Sequence, residues 1–149
     1  MELRHANHCV YKIRCHMVFC MKYRKNFLLD KEIIHFLKNI CFEIGKRYCF
    51  EFDAIGTDVD HVHLFVGAAP KYSSSRVMQI IKSIIARKIF KEYPEIKKQL
   101  WGGELWSDGR YIGTVGYGTT SDVIKNYVEN QGNKKNKEAY KQMKVLDFE

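Results

Sequence analysis

The feature that most restricts how this chain can fold is the alternation in Asp-Val-Asp-His-Val-His-Leu-Phe-Val-Gly, residues 58–67. Successive side chains of a strand point to opposite faces. In a strand over His61–Gly67, His61, His63 and Phe65 share one face, and Val62, Leu64 and Val66 share the other. The valine–leucine–valine face suits packing on helices. The opposite face carries two imidazoles about 7 Å apart, a spacing able to grip one metal ion. The fold must bury one face and leave a use for the other.

The remaining pattern supplies partners for that strand. Over residues 9–20, Tyr11, Ile13, Cys15, Met17 and Phe19 alternate with Lys12, Arg14 and His16, which predicts a half-buried strand with a basic outer face at its start. Asp30 is a suitable N-cap for a helix with apolar residues at 33, 34, 37, 40, 41 and 44, and Gly45 lies near its end. Phe50, Phe52 and Ala54 alternate with Glu51, Asp53 and Ile55 as a strand, and Gly56 to Asp60 forms the turn into the histidine strand. Ser73 to Ser75 can cap a second helix to about Phe90, with Val77, Ile81, Ile84 and Ile85 on one side and Arg76, Gln79, Ser83 and Arg87 on the other. Pro94 and a loop to Gly103 end that unit. Tyr111 to Tyr117 is a further extended segment, broken by Gly113 and Gly116, and Ser121 and Asp122 open a third helix to about Asn130.

The order strand, helix, strand, strand, helix, strand, helix is that of an α+β, ferredoxin-like (split βαβ) fold: an antiparallel sheet with two helices on one face, and a C-terminal helix beyond. Such a sheet leaves the histidine face uncovered by the two long helices. The 149 residues make one domain, with a lysine-rich tail over 133–149.

Composition narrows the function classes. Lysine and arginine exceed aspartate and glutamate by 25 to 17, a net charge of +8, which favours a polyanionic partner such as nucleic acid over a merely soluble basic protein. No apolar run reaches the roughly 20 residues of a membrane span, and the first residues lack a signal-peptide core. The five cysteines form no Cys-x-x-Cys pair, which points to reduced thiols and a cytoplasmic location (nucleoid-associated if the partner is DNA), not a disulfide framework. A structural zinc site at the histidines lacks the cysteines that zinc-finger spacing would bring.

A His-x-His is by itself a weak signal: six histidines in this length produce one in about a quarter of such chains by chance. It needs a third ligand. Tyr127 and Gln131 lie four apart, on adjacent turns of one face of the C-terminal helix. Taken alone, Tyr127 reads more readily as a core aromatic on an amphipathic helix.

Together these residues resemble the single-tyrosine HUH transposases of the insertion-sequence-200-like family. The resemblance spans residues 9–132. It rests on Asp-His-Val-His-Leu-Phe-Val, the Lys-Tyr-Arg after the first strand, Leu-Trp-Gly-Gly-Glu-Leu-Trp-Ser-Asp-Gly-Arg-Tyr, Thr-Val-Gly, and Tyr-Val-Glu-Asn-Gln. It implies that His61, His63 and Gln131 hold a divalent metal, Mg²⁺ or Mn²⁺, and that Tyr127 is the nucleophile. It further implies a substrate of single-stranded DNA with hairpin-containing ends, and a homodimer whose active sites are shared between subunits. In that setting Arg14, Arg76 and Arg87 are the expected DNA contacts, and Trp101, Trp106 or Tyr111 could stack on bases. The turn Thr-Asp-Val-Asp departs from the expected shorter or proline-containing link, and brings Asp58 or Asp60 near the metal. A related HUH nickase shares this chemistry, whereas a non-catalytic ferredoxin-like single-strand binder would bind DNA without forming a covalent adduct.

Overall fold

The computed structural model describes residues 3–6, 9–11, 13–115 and 119–131. A small hairpin pairs β1 (Arg4–Ala6) with β2 (Cys9–Tyr11). The main elements are β3 (Cys15–Met21), α1 (Lys31–Tyr48), β4 (Glu51–Asp58), β5 (His61–Gly67), α2 (Ser74–Glu92), α3 (Pro94–Gln99), β6 (Trp106–Thr114) and α4 (Thr119–Glu129). The sheet runs β4-β5-β3-β6 with every neighbouring pair antiparallel. β4 therefore follows β3 through α1 but lies two places away with β5 between them, which is the split βαβ arrangement expected from the sequence.

α1 starts where Asp30 accepts a hydrogen bond from the Glu32 amide at 2.9 Å and buries Ile33, Leu37, Ile40, Cys41 and Ile44, the stripe its periodicity requires. α2 is capped by Ser73, whose hydroxyl accepts from the Arg76 amide, and buries seven apolar residues from Val77 to Ile89. Each such side chain contributes about 1.5–3 kcal/mol on burial, so tertiary packing holds these helices more than helix propensity does. Val62, Leu64 and Val66 of β5, and Cys15, Met17 and Phe19 of β3, meet them on the helical face of the sheet.

Several local expectations are corrected. The alternating stretch over residues 9–20 is two strands. In β4 the register steps from Phe52–Val66 to Ala54–Phe65, so Asp53 is an extra, bulged residue. Ala54 consequently turns to the histidine face, and Ile55 turns to the main core with Phe50 and Phe52. The last strand starts at Trp106, ahead of the two glycines that dominated the sequence signal. α3 occupies part of the expected loop, with Pro94 in its first turn, where a missing N–H costs nothing. The 133–149 tail lies outside the described residues.

Candidate active site

Strand register gathers the site. β3 and β5 are adjacent, and His16 opposes Phe65, Val18 opposes His63 and Cys20 opposes His61. His16, His61 and His63 therefore occupy one patch of the face that α1 and α2 do not cover. On the other side of β5, Gly56 of β4 opposes His63. On the other side of β3, Tyr111 opposes Val18.

α4 lies on this patch, packed on β4 and β5 of its own chain. Tyr127 and Val128 bury themselves with Ala54 and Phe65 in a second small core, flanked by Val115 and Ile124. The helix descends this far because Gly56 has no side chain: a Cβ there would overlap the Val128 carbonyl oxygen and stand 2.9 Å from Gln131 Cβ. The sheet face expected to stay uncovered is thus partly buried, with Tyr127 5% and His63 0% exposed.

The ring geometry is tight. His61 and His63 have centroids 4.9 Å apart. Tyr127 meets His63 edge-on at 5.5 Å and His16 edge-on at 5.8 Å. His16 stacks on His63 at 5.4 Å, and its Nε2 lies 3.2 Å from His63 Nδ1. His61 Nδ1 lies 2.8 Å from Asp60 Oδ1. Burial, then the neighbouring His16 and His61, holds the His63 imidazole far below its ordinary pKa. Burial alone brings His16 to about 4. Both rings are neutral at pH 7, the form in which imidazole ligates metal.

The donor set fits a divalent ion. His61 and His63 share the patch, and Gln131 reaches the same region beside Gly56. Gln131 Oε1 is buried without a hydrogen-bond partner among the described residues, as an amide oxygen kept for a ligand would be. Among the described residues, no three His, Cys, Asp or Glu side chains are grouped to hold a metal. Gln131 Oε1 is an atom that could serve the histidine pair as a third donor.

Other site expectations fare differently. Arg14 is no candidate for a phosphate contact: it is 4% exposed, pairs with Asp53 at 2.7 Å and also with Glu51, and lies against Gly67. Trp106 is not a stacking platform, since it packs edge-on against Phe19 at 4.6 Å and donates its indole N–H to the Lys82 carbonyl. Trp101 stands 87% exposed. Arg76 and Arg87 are exposed on α2, in the helical layer on the opposite side of the sheet from the histidines. Arg87 lines a cavity of about 500 Å³ with Lys82, Phe90, Trp106, Asp108 and Arg110. Asp60 contacts His61 through its carboxylate. His16 was missed because alternation alone placed it on an outer basic face; the pairing of β3 with β5, read from the split βαβ order, would have set it beside His63.

Comparison with known proteins identifies the family. The family model described as "Transposase IS200 like" matches residues 9–131. The ISDra2 transposase TnpA of Deinococcus radiodurans is 33% identical over 134 residues, covering 90% of this chain and 94% of the relative. The transposase of insertion sequence element IS200 from Salmonella typhimurium is 25% identical, covering 83% and 80%. A crystal structure described as a transposase from Deinococcus radiodurans R1 superposes with a TM-score of 0.68 at 32% identity, covering 87% of this chain and 98% of that one. A REP-associated tyrosine transposase bound to a REP hairpin shares the fold, with a TM-score of 0.58 at 12% identity over 84% of this chain and 69% of that one. The chain belongs to the IS200-like transposase family, whose members cleave and rejoin DNA.

Proposed function

We propose that this transposase cuts and rejoins single-stranded DNA by attack of Tyr127 on a backbone phosphate. The observation that carries the reading is the meeting of Tyr127 with His63 and His16 on the histidine face, with Gln131 four residues on, in the turn just past the end of α4. Tyr127 Oη forms a bond to phosphorus as the bond to the 3′ oxygen breaks, giving a 5′-phosphotyrosine and a free 3′-hydroxyl. The phenol proton is lost and the departing 3′ oxygen gains one. The covalent link conserves the phosphodiester, so a 3′-hydroxyl can reverse the step without a nucleotide cofactor.

His61, His63 and Gln131 would hold Mg²⁺ or Mn²⁺. Held there, a divalent ion would supply Lewis-acid charge withdrawal from the reacting phosphate. Burial of Tyr127 fixes the nucleophile's approach and limits water at the phosphotyrosine. Arg76 and Arg87 would bind backbone phosphates on α2, away from the reacting atoms, where hairpin-bearing ends can be held. The REP-hairpin-bound neighbour and the net charge of +8 support a hairpin-bearing DNA partner.

The working unit is proposed to be a homodimer with shared active sites. In the single chain α4 serves its own sheet; sharing requires it to leave for the partner's. Mixing Tyr127→Phe with His63→Ala protein tests this, because shared sites restore cleavage and unshared ones do not. The substrate class is tested by offering the same hairpin-bearing oligonucleotide single-stranded and as full duplex with Mg²⁺ or Mn²⁺. Cleavage confined to the single strand is expected. Equal cleavage of duplex, or binding without cleavage, would overturn the reading.

A further inference from the structure

We propose that His16 and Asp60 are positioning residues that fix the tautomers of His63 and His61, so that both rings turn Nε2 to the metal. The inference rests on the metal reading above and concerns two residues with no role in it.

A neutral imidazole has one N–H and one lone pair, and a ligating nitrogen must be the one with the lone pair. Asp60 decides the matter for His61. A carboxylate only accepts, so the 2.8 Å contact puts the His61 proton on Nδ1 and leaves the lone pair on Nε2. Asp60 is itself held in place. It sits in the two-residue turn between β4 and β5, its carbonyl accepts from the Met21 amide at 2.7 Å, and Arg24 lies 3.6 Å from its other carboxylate oxygen.

The His16–His63 contact allows two proton arrangements. If His16 Nε2 donated, His63 would carry its own proton on Nε2 and could not ligate. If His63 Nδ1 donates, its Nε2 keeps the lone pair, and His16 carries its proton on Nδ1. Only the second arrangement gives two like ligands from His61 and His63. The stack at 5.4 Å and the 3.2 Å contact hold the His63 ring in rotation and occupy its Nδ1, so that metal ligation at Nε2 selects the second arrangement. His16 is 2% exposed and sits between the edges of Tyr111 and Tyr127, so it cannot turn away without disturbing the nucleophile's bed. An acceptor on the far nitrogen of a metal-bound histidine orients the ring and raises its basicity. Here one acceptor comes from the turn and one from the neighbouring strand.

The test joins two readouts on the full-length protein without DNA. Long-range ¹H–¹⁵N correlation of the histidine rings should find the proton on Nδ1 of His61 and His63 and on Nδ1 of His16. Mn²⁺ binding, followed by electron paramagnetic resonance, should weaken about 10- to 100-fold in His16→Leu and in Asp60→Ala. His16→Gln retains an acceptor oxygen and should recover most of the affinity; its recovery also shows that the loss in His16→Leu is not a failure to fold. A wild-type His63 protonated on Nε2, or His16→Leu binding Mn²⁺ like wild type, would overturn the proposal. Nδ1 protons in a wild type that binds no Mn²⁺ would leave the tautomers standing and bring down the metal reading alone.

Discussion

Gly56 lies directly beneath Val128, so close that a Cβ on the glycine would overlap the valine's carbonyl oxygen. That approach lowers the C-terminal helix onto the histidine face and brings Tyr127 to the rings. Gly56→Ala should push α4 outward, at a cost of about 1–3 kcal/mol for the overpacked contact. The helices on the other face should be spared. Hydrogen exchange should quicken in α4 while α1 and α2 stay protected, and DNA cleavage should fall at least tenfold.

Arg14 is a structural cation. Its guanidinium is 4% exposed and is engaged by Asp53 and Glu51. Removing one partner of such a pair leaves uncompensated charge and costs about 3–5 kcal/mol when fully buried. Both carboxylates here are 28% exposed, so Arg14→Met should lose less, about 1–3 kcal/mol in denaturant unfolding. The salt dependence of DNA binding should be unchanged.

Arg87 should behave in the opposite way. It is exposed on α2 and faces a cavity shared with Lys82 and Arg110. Arg87→Ala should leave the unfolding midpoint in place. It should weaken single-strand binding and reduce the slope of log affinity against log salt by about 0.7, the value for one lost phosphate contact.

Thiol chemistry checks the core independently. Burial pushes the Cys41 thiol up to about 12, so almost no thiolate forms near neutral pH in the folded chain. Cys49 at the end of α1 is exposed. Alkylation at pH 8 should modify Cys49 quickly and leave Cys41 untouched until the protein is denatured, as peptide mass mapping will show.

Much of this was legible in the sequence, and the exceptions have physical causes. Period-two alternation found β5 and both its faces, because Val62, Leu64 and Val66 meet the main core while His63 and Phe65 lie on the other face, and helical periodicity found α1 and α2, because each buries one stripe against the main core. The bulge at Asp53 could not be read from alternation, since one inserted residue reverses every later side chain and leaves the composition unchanged. Arg14 reads as a DNA contact, and Trp106 as either a stacking or a core residue, because residue type does not reveal a burial set by tertiary partners. His16 escaped for a related reason: its place depends on which strand lies next to β3, a property of sheet order that no single strand encodes. Tyr127 and Gln131 stand out in the sequence only through their four-residue spacing and a family resemblance. The glycine that admits them to the sheet had been read only as part of a turn.

The central claim is that Tyr127 becomes covalently joined to the 5′ phosphate of a cut single strand. Its most direct test is a denaturing gel of the protein incubated with Mn²⁺ and a hairpin-bearing oligonucleotide labelled at either end, followed by mass mapping of any adduct. The account predicts a shifted protein band carrying only the 3′ label, a phosphotyrosyl peptide containing Tyr127, and no band from Tyr127→Phe. An undiminished band from Tyr127→Phe, or the 5′ label on the protein, would contradict it.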